Sequence, residues 1–97
     1  MDTLLLLSVA PEQADDLIDY LMELEGIPGF TSWPASGHGH DGIVTLAEQV
    51  SGRRKRVLFQ ITLSAVQVEP LLKGLAPRVG KDIAWWQQRL DAHGYLA

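Results

Sequence analysis

Residues 3–26 have the sequence TLLLLSVAPEQADDLIDYLMELEG, which predicts a strand followed directly by a helix. The nearly continuous apolar run over residues 3–9 is typical of a strand buried on both faces. Pro11 suits the first turn of a helix, because the amide proton that it lacks has no partner there. Gly26 and Pro28 predict the end of this helix. Between them, apolar residues recur at the three-and-four spacing of one helix face: Ala14, Leu17, Ile18, Leu21 and Met22.

Downstream of this unit, the pattern predicts an edge strand and then a long loop. Residues 29–36 favour extended chain, and Pro34 indicates a sheet edge because it cannot donate a ladder hydrogen bond. Residues 37–52, GHGHDGIVTLAEQVSG, are rich in glycine at both ends and too long for a tight turn. They therefore predict a protruding loop, and long loops of small domains often carry function.

The C-terminal half predicts a second strand and helix, followed by a last strand. Residues 56–63 place Val57, Phe59, Ile61 and Leu63 on one face of a strand. Residues 69–75 predict a short helix with Pro70 in its first turn. Residues 82–88, which include two adjacent tryptophans, predict the final strand.

The order of these elements indicates an α+β domain of the ferredoxin-like type, with a split βαβ (βαββαβ) topology and a four-stranded antiparallel sheet. A chain of 97 residues has room for one core, so residues 1–97 form a single domain. The first and third strands are expected at the centre of the sheet. Because two helices cover only one face of such a sheet, the other face predicts a homo-oligomer in which a second copy covers it.

Composition narrows the possible partners and the compartment. The net charge of -4 argues against nucleic acid as a partner, because such binding usually depends on a basic surface. The chain has no cysteine, which excludes thiol catalysis and agrees with a reducing compartment. No apolar run approaches the roughly 20 residues that span a bilayer, and no Lys or Arg precedes the short apolar run near the start. The sequence therefore predicts a cytoplasmic protein without direct membrane insertion.

A cluster of potential metal ligands lies at the start of the long loop. His38, His40 and Asp41 bring two imidazoles and a carboxylate close together, and a borderline metal ion accepts both kinds of ligand. A fourth ligand would have to come from a neighbouring copy, with His93 or Glu48 as the candidates. The alternative is a solvated glycine-rich loop that the two histidines keep polar.

A basic run closes the same loop. Arg53, Arg54, Lys55 and Arg56 could hold a phosphate or carboxylate, because guanidinium groups bind both in a bidentate manner. The alternative is a solvated charged end that protects a strand from aggregation. The three tryptophans, Trp33, Trp85 and Trp86, could stack on a base, but packing in the core or at an interface is favoured.

The sequence does not favour an enzyme. A histidine of the loop with Asp41 could act as a base, and Ser36 or Ser51 could be a nucleophile. Neither serine lies in a recognised motif, and a triad is defined by geometry rather than by the presence of its members. A chain this short also has little room for a closed pocket unless several subunits build it.

Two segments resemble a known family. The stretch PGFTSWPASGHG at 28–39 and the stretch AEQVSGRRKRVLFQITL at 47–63 are similar to a PII-like family of bacterial proteins, the domain of unknown function family 3240. The resemblance implies a homotrimer, as in PII signalling proteins and CutA-like proteins, with ligands in clefts between subunits near the loop at 37–52. It also implies that Gly37 and Gly39 occupy the place of a glycine pattern that approaches nucleotide phosphates.

The second phosphate-binding stretch of PII proteins is represented here only by Gly80, Lys81 and Asp82. Because most of that motif is missing, a divalent transition metal or copper is favoured over a nucleotide as the ligand.

Two functions follow from the residues and the resemblance. The first is a PII-like regulatory or signalling protein, in which a small ligand bound by Gly37, Gly39, Arg53, Arg54 and Arg56 changes the 37–52 loop and a partner protein recognises the change. The alternative is a metal-binding protein that uses His38 and His40 and is associated with heavy-metal resistance or efflux. The two functions are compatible if the small ligand that regulates the protein is a metal ion.

Overall fold

The computed structural model describes residues 2–39 and 54–97. Within these ranges the chain is a small α+β domain with four strands and three α-helices. A 3₁₀ turn over Pro11–Gln13 leads into the first helix. In chain order the elements are β1 (Asp2–Val9), α1 (Ala14–Glu23), β2 (Phe30–Gly37), β3 (Arg54–Ser64), α2 (Ala65–Lys73), α3 (Leu75–Arg78) and β4 (Ala84–Arg89).

The four strands form one antiparallel sheet in the order β2-β3-β1-β4. The prediction that the first and third strands lie at the centre is confirmed. Pro34 lies in β2 at the edge of the sheet, opposite Val57 of β3, which also agrees with the prediction. An edge position suits proline because the missing amide proton costs the sheet no hydrogen bond on the outer side.

The helices pack on the sheet face that carries the odd-numbered residues of β1 and β3. Leu5 lies opposite Ile61, and Leu7 lies opposite Phe59, so the two central strands contribute paired side chains to one core. Burying each such side chain stabilises the fold by roughly 1.5–3 kcal/mol. The largest fully buried side chains of the domain are Phe59, Leu5, Leu7, Leu17, Leu21, Ile61, Leu71 and Val9.

The opposite sheet face, here called the open face, carries the even-numbered residues of the central strands. Leu6 and Leu58 are only half-buried there, so in the single chain β1 is fully buried on one face rather than on both. Register places Trp33 beside Leu58, and Trp86 beside Leu6. The open face therefore carries two leucines bordered by two tryptophans, with Gln60 opposite Leu6 and Ser8 opposite Leu58.

The second helix starts earlier than its proline suggested. It begins at Ala65, so Pro70 lies in its interior and the prediction of a first-turn proline is wrong. The physical reason is a capping box, in which the Ser64 amide donates to Oε1 of Gln67 at 2.9 Å. This local bond starts the helix directly after β3, and the helix accepts the loss of one hydrogen bond at the proline.

The last strand starts later than predicted. Residues 82–88 were expected to be extended, but β4 begins at Ala84. Asp82 has φ 64°, which lies in the left-handed region and cannot continue a strand. Gly26 and Gly80 also have positive φ, at 79° and 137°, and Gly26 follows the first helix as predicted. Among the helices of the described ranges, none is long and apolar enough to cross a membrane.

Candidate functional site

The predicted ligand-binding residues lie where β2 ends and β3 begins. Gly37 is the last residue of β2, and it pairs in register with Arg54, the first residue of β3. His38 and Gly39 follow β2 directly and are exposed. Sheet pairing thus brings Gly37 and Arg54, which lie before and after residues 40–53, next to each other. His40, Asp41 and Arg53, also predicted as site residues, lie outside the described residues, as do Glu48 and Ser51.

Arg56 is buried, so the alternative that the basic run is a solvated charged end is wrong for this residue. Only 6% of it is exposed. Its Nε donates to the Ser8 hydroxyl at 2.8 Å, and its Nη2 donates to the carbonyl oxygens of Ser8 and Asp82 at 2.6 and 2.9 Å. Buried guanidinium groups need such acceptors, because each unmatched donor carries a desolvation cost. Arg56 therefore joins β3 to the end of β1 and to the turn before β4.

Arg54 and Arg56 both approach the carboxylate of Asp82. Arg54 forms an ion pair with Oδ2 of Asp82 through its Nη2, and Nη1 of Arg56 lies 3.5 Å from the same oxygen. At 3.5 Å, Nη1 makes no hydrogen bond to Asp82, and the part of the chain described here offers it no other acceptor. We call Arg54, Arg56 and Asp82 the Asp82 cluster.

Burial and the neighbouring charges shift the pKa of Arg56. Burial lowers the pKa of its guanidinium and the neighbouring Arg54 lowers it further, whereas Asp82 acts in the opposite direction. Arginine normally titrates so far above neutrality that the side chain stays protonated at pH 7. Arg56 therefore stays positively charged under ordinary conditions, and a buried guanidinium group favours an anionic partner.

The turn that carries Asp82 is fixed from two sides. Gln13 donates through Nε2 to the Lys81 carbonyl at 2.7 Å, and its Oε1 accepts from the Ala10 amide at 2.9 Å. Arg56 holds the Asp82 carbonyl from the other side. The sequence identified residues 80–82 as the remnant of a phosphate-binding turn, but it did not predict Asp82 as the partner of both arginines. The only feature of the sequence that pointed to this role was an acidic residue, Asp82, two positions after Gly80.

His93, considered as an extra metal ligand, lies at the other end of the sheet. Its Nε2 is 2.6 Å from Oδ2 of Asp2, and this hydrogen bond lowers the pKa of the Asp2 carboxyl. Asp2 begins β1, whereas Ser8 of the arginine network lies six residues further on, about 20 Å along an extended strand. Within residues 2–39 and 54–97, no three metal-ligating side chains come together.

The tryptophans lie outside the core. Trp33 is 36% exposed, Trp85 is 50% exposed and Trp86 is 54% exposed. Of the two predicted positions, the core is therefore wrong for all three tryptophans, and packing at an interface stays a prediction. Trp33 and Trp86 lie on the open face, whereas Trp85 pairs with the buried Leu7 and so lies on the helix side of the sheet.

Comparisons with known proteins agree on one family. A family model described as "Protein of unknown function (DUF3240)" matches residues 1–97. The chain is similar to a DUF3240 family protein from Shewanella baltica OS155, whose crystal structure was solved at 2.40 Å resolution. The TM-score is 0.81 at 27% sequence identity, and the match covers 99% of this chain and 97% of that chain. Among curated proteins, none matches.

Proposed function

The chain belongs to the DUF3240 family, and from that premise we propose that it is a PII-like regulatory protein of ferredoxin-like fold. In this proposal the chain forms a homotrimer and binds a small anionic ligand beside Gly37, Arg54 and Arg56. A partner protein then recognises the ligand-dependent state of the 37–52 loop. The order β2-β3-β1-β4 supports the ferredoxin-like assignment, because that fold places its first and third strands at the centre.

The observation that carries the proposal is the approach of two arginines to one carboxylate where β2 and β3 meet. Arg54 and Arg56 both pair with Asp82, and both lie on a strand rather than on an exposed tail. Side chains fixed on a strand lose less freedom when they bind a ligand, so such a site is already organised for an anion. Guanidinium pairs suit phosphate and carboxylate groups in particular.

The position of this site supports a regulatory role. A ligand held by Gly37 and Arg54 would bind at the base of the predicted 37–52 loop, because these two residues are paired across β2 and β3. A ligand shifts a conformational equilibrium only through different affinity for the two states. A ligand bound at the base of a loop has a direct route to such a difference.

The open face supports the oligomeric part of the proposal. Leu6 and Leu58 form an apolar centre that Trp33 and Trp86 border. Aromatic residues are enriched at interfaces, and a contiguous apolar face is commonly covered by another copy of the same chain. A trimer would bury this face and provide the clefts between subunits in which the ligand binds.

Native mass spectrometry tests subunit number and ligand uptake together. The protein is sprayed alone, with inorganic phosphate, with ATP, and with zinc or copper ions. We expect a trimer that takes up an anion in proportion to its subunits, and we expect Arg54→Gln to lose this uptake. Arg78→Gln is the matched control, because Arg78 also pairs with a carboxylate, that of Glu23, but lies away from the site.

A monomer that takes up none of these compounds would contradict the proposal. Metal uptake that Arg54→Gln leaves intact and that replacement of His38 and His40 by alanine abolishes would favour the metal-binding alternative instead.

A further inference from the structure

The Asp82 carboxylate occupies the position that an anionic ligand would take. It accepts a hydrogen bond from Arg54 and lies 3.5 Å from Nη1 of Arg56. The Asp82 carboxylate does not satisfy all the donors of Arg56, because Nη1 is buried and makes no hydrogen bond to any residue of the described ranges. A phosphate group has more acceptor oxygens than a carboxylate, so it can serve Nη1 and Arg54 together.

The backbone of Asp82 is also held in an unfavourable conformation. Its φ of 64° is in the left-handed region, which asparagine and aspartate tolerate better than other residues with a Cβ, though less well than glycine. The contacts to Arg54 and Arg56 keep it there. Loss of the carboxylate contacts would therefore loosen the turn before β4.

We propose that Arg54 and Arg56 form an oxyanion site in which Asp82 is a built-in occupant, and that an external phosphate or carboxylate group binds by displacing the Asp82 carboxylate. This inference rests on the proposed function, because it specifies the ligand class and the regulation of the same site. The charge supports displacement, because a phosphate group with two charges interacts more strongly with the guanidinium groups than a carboxylate with one charge does.

Displacement of Asp82 is transmitted to β4. Asp82 lies two residues before Ala84, and Ala84 pairs with Ser8, the same residue that accepts two hydrogen bonds from Arg56. A change at Asp82 therefore acts on the start of β4 from both the turn and the neighbouring strand. Trp86 follows on the open face, so anion binding and subunit contacts are linked through one short strand.

Calorimetric titration with inorganic phosphate tests the built-in occupant. Asp82→Asn removes the charge and keeps the side-chain size, and asparagine tolerates the left-handed backbone. We expect this variant to bind phosphate at least about tenfold more tightly than the parent protein, because the internal competitor is gone. Adding Arg54→Gln to this variant should remove the gain. Phosphate should also change the tryptophan fluorescence of the parent protein, since Trp85 and Trp86 follow Asp82 closely.

Glu23→Gln is the matched control. It removes the same charge and also breaks one arginine–carboxylate pair, that of Arg78, away from the site. Equal phosphate affinity in Asp82→Asn and the parent protein, or an equal gain in Asp82→Asn and Glu23→Gln, would overturn the inference. If Asp82→Asn does not fold, Asp82→Gly makes the same test, because glycine adopts the positive φ without strain.

The two proposals fail in different ways. A parent trimer that binds an anion, combined with no gain in Asp82→Asn, removes the built-in occupant and leaves the proposed function standing. A gain in Asp82→Asn, combined with a parent protein that is monomeric, removes the regulatory trimer and leaves the oxyanion site standing.

Discussion

At the scale of single residues, Gly74 decides how α1 and α2 fit together. It lies at the break between α2 and α3, directly against the ring and hydroxyl of Tyr20. That hydroxyl donates to the Leu71 carbonyl at 2.8 Å in the buried interior, so Tyr20 cannot move aside without losing this bond. Burial also raises the pKa of Tyr20, which keeps the hydroxyl in its neutral, donating form. The sequence offers no sign of this contact, because its partners are 54 residues apart.

We expect Gly74→Ala to destabilise the protein by about 1–3 kcal/mol, the usual cost of overpacking a filled core. The added Cβ would overlap the Tyr20 hydroxyl. Gly29→Ala is the matched control, because a Cβ there meets no atom within 4 Å. The measurement is the free energy of unfolding from urea titration. Equal stability of the two variants would show that Tyr20 is not held against Gly74.

At the scale of elements, the start of α2 is set by a capping box and not by the position of its proline. Pro70 predicted a helix start near residue 69, whereas the S-x-x-Q spacing of Ser64 and Gln67 is the signal of the true start. Gln67 has a second role, because its Nε2 donates to the Glu25 carbonyl at 3.2 Å after α1. One side chain thus starts α2 and fixes the chain that leaves α1.

Replacing Gln67 by alanine should lower the free energy of unfolding by about 1 kcal/mol, which is typical of losing a helix cap. The control is Glu69→Ala in the same helix, because the ion pair between Glu69 and Lys73 is largely exposed and contributes little to stability. The measurement is the free energy of unfolding of both variants from urea titration. A loss in Glu69→Ala as large as that in Gln67→Ala would point to helix propensity rather than to the capping box.

Elements with a strong internal pattern could be predicted from the sequence, and contacts between distant elements could not. The apolar stripe of α1 and the alternation in β3 are properties of neighbouring residues, so those elements agree with the structure. The candidate site depends on Arg56 reaching Ser8 and Asp82, which are 48 and 26 residues away. The basic run identified Arg54 and Arg56, but only the folded sheet brings Asp82 to them.

At the scale of the whole molecule, the open face links the fold to the proposed trimer. Trp85 and Trp86 are neighbours on β4 with similar exposure, yet they lie on opposite faces of the sheet. Trp86 pairs with Leu6 on the open face, and Trp85 pairs with Leu7 on the helix side. Only Trp86 should therefore be buried when copies of the chain associate.

This difference makes an internally controlled test of assembly. We expect Trp86→Glu to weaken the association of subunits by at least about 100-fold, because it removes an aromatic anchor and would bury an unpaired charge. Trp85→Glu introduces the same charge one residue away and should leave the trimer intact. The measurement is molar mass by light scattering over a dilution series, with circular dichroism to confirm folding. Dissociation of both variants to the same extent would place the subunit contact at the β4 edge, and dissociation of Trp85→Glu alone would place it on the helix side. Either result would remove the open face from the proposed interface.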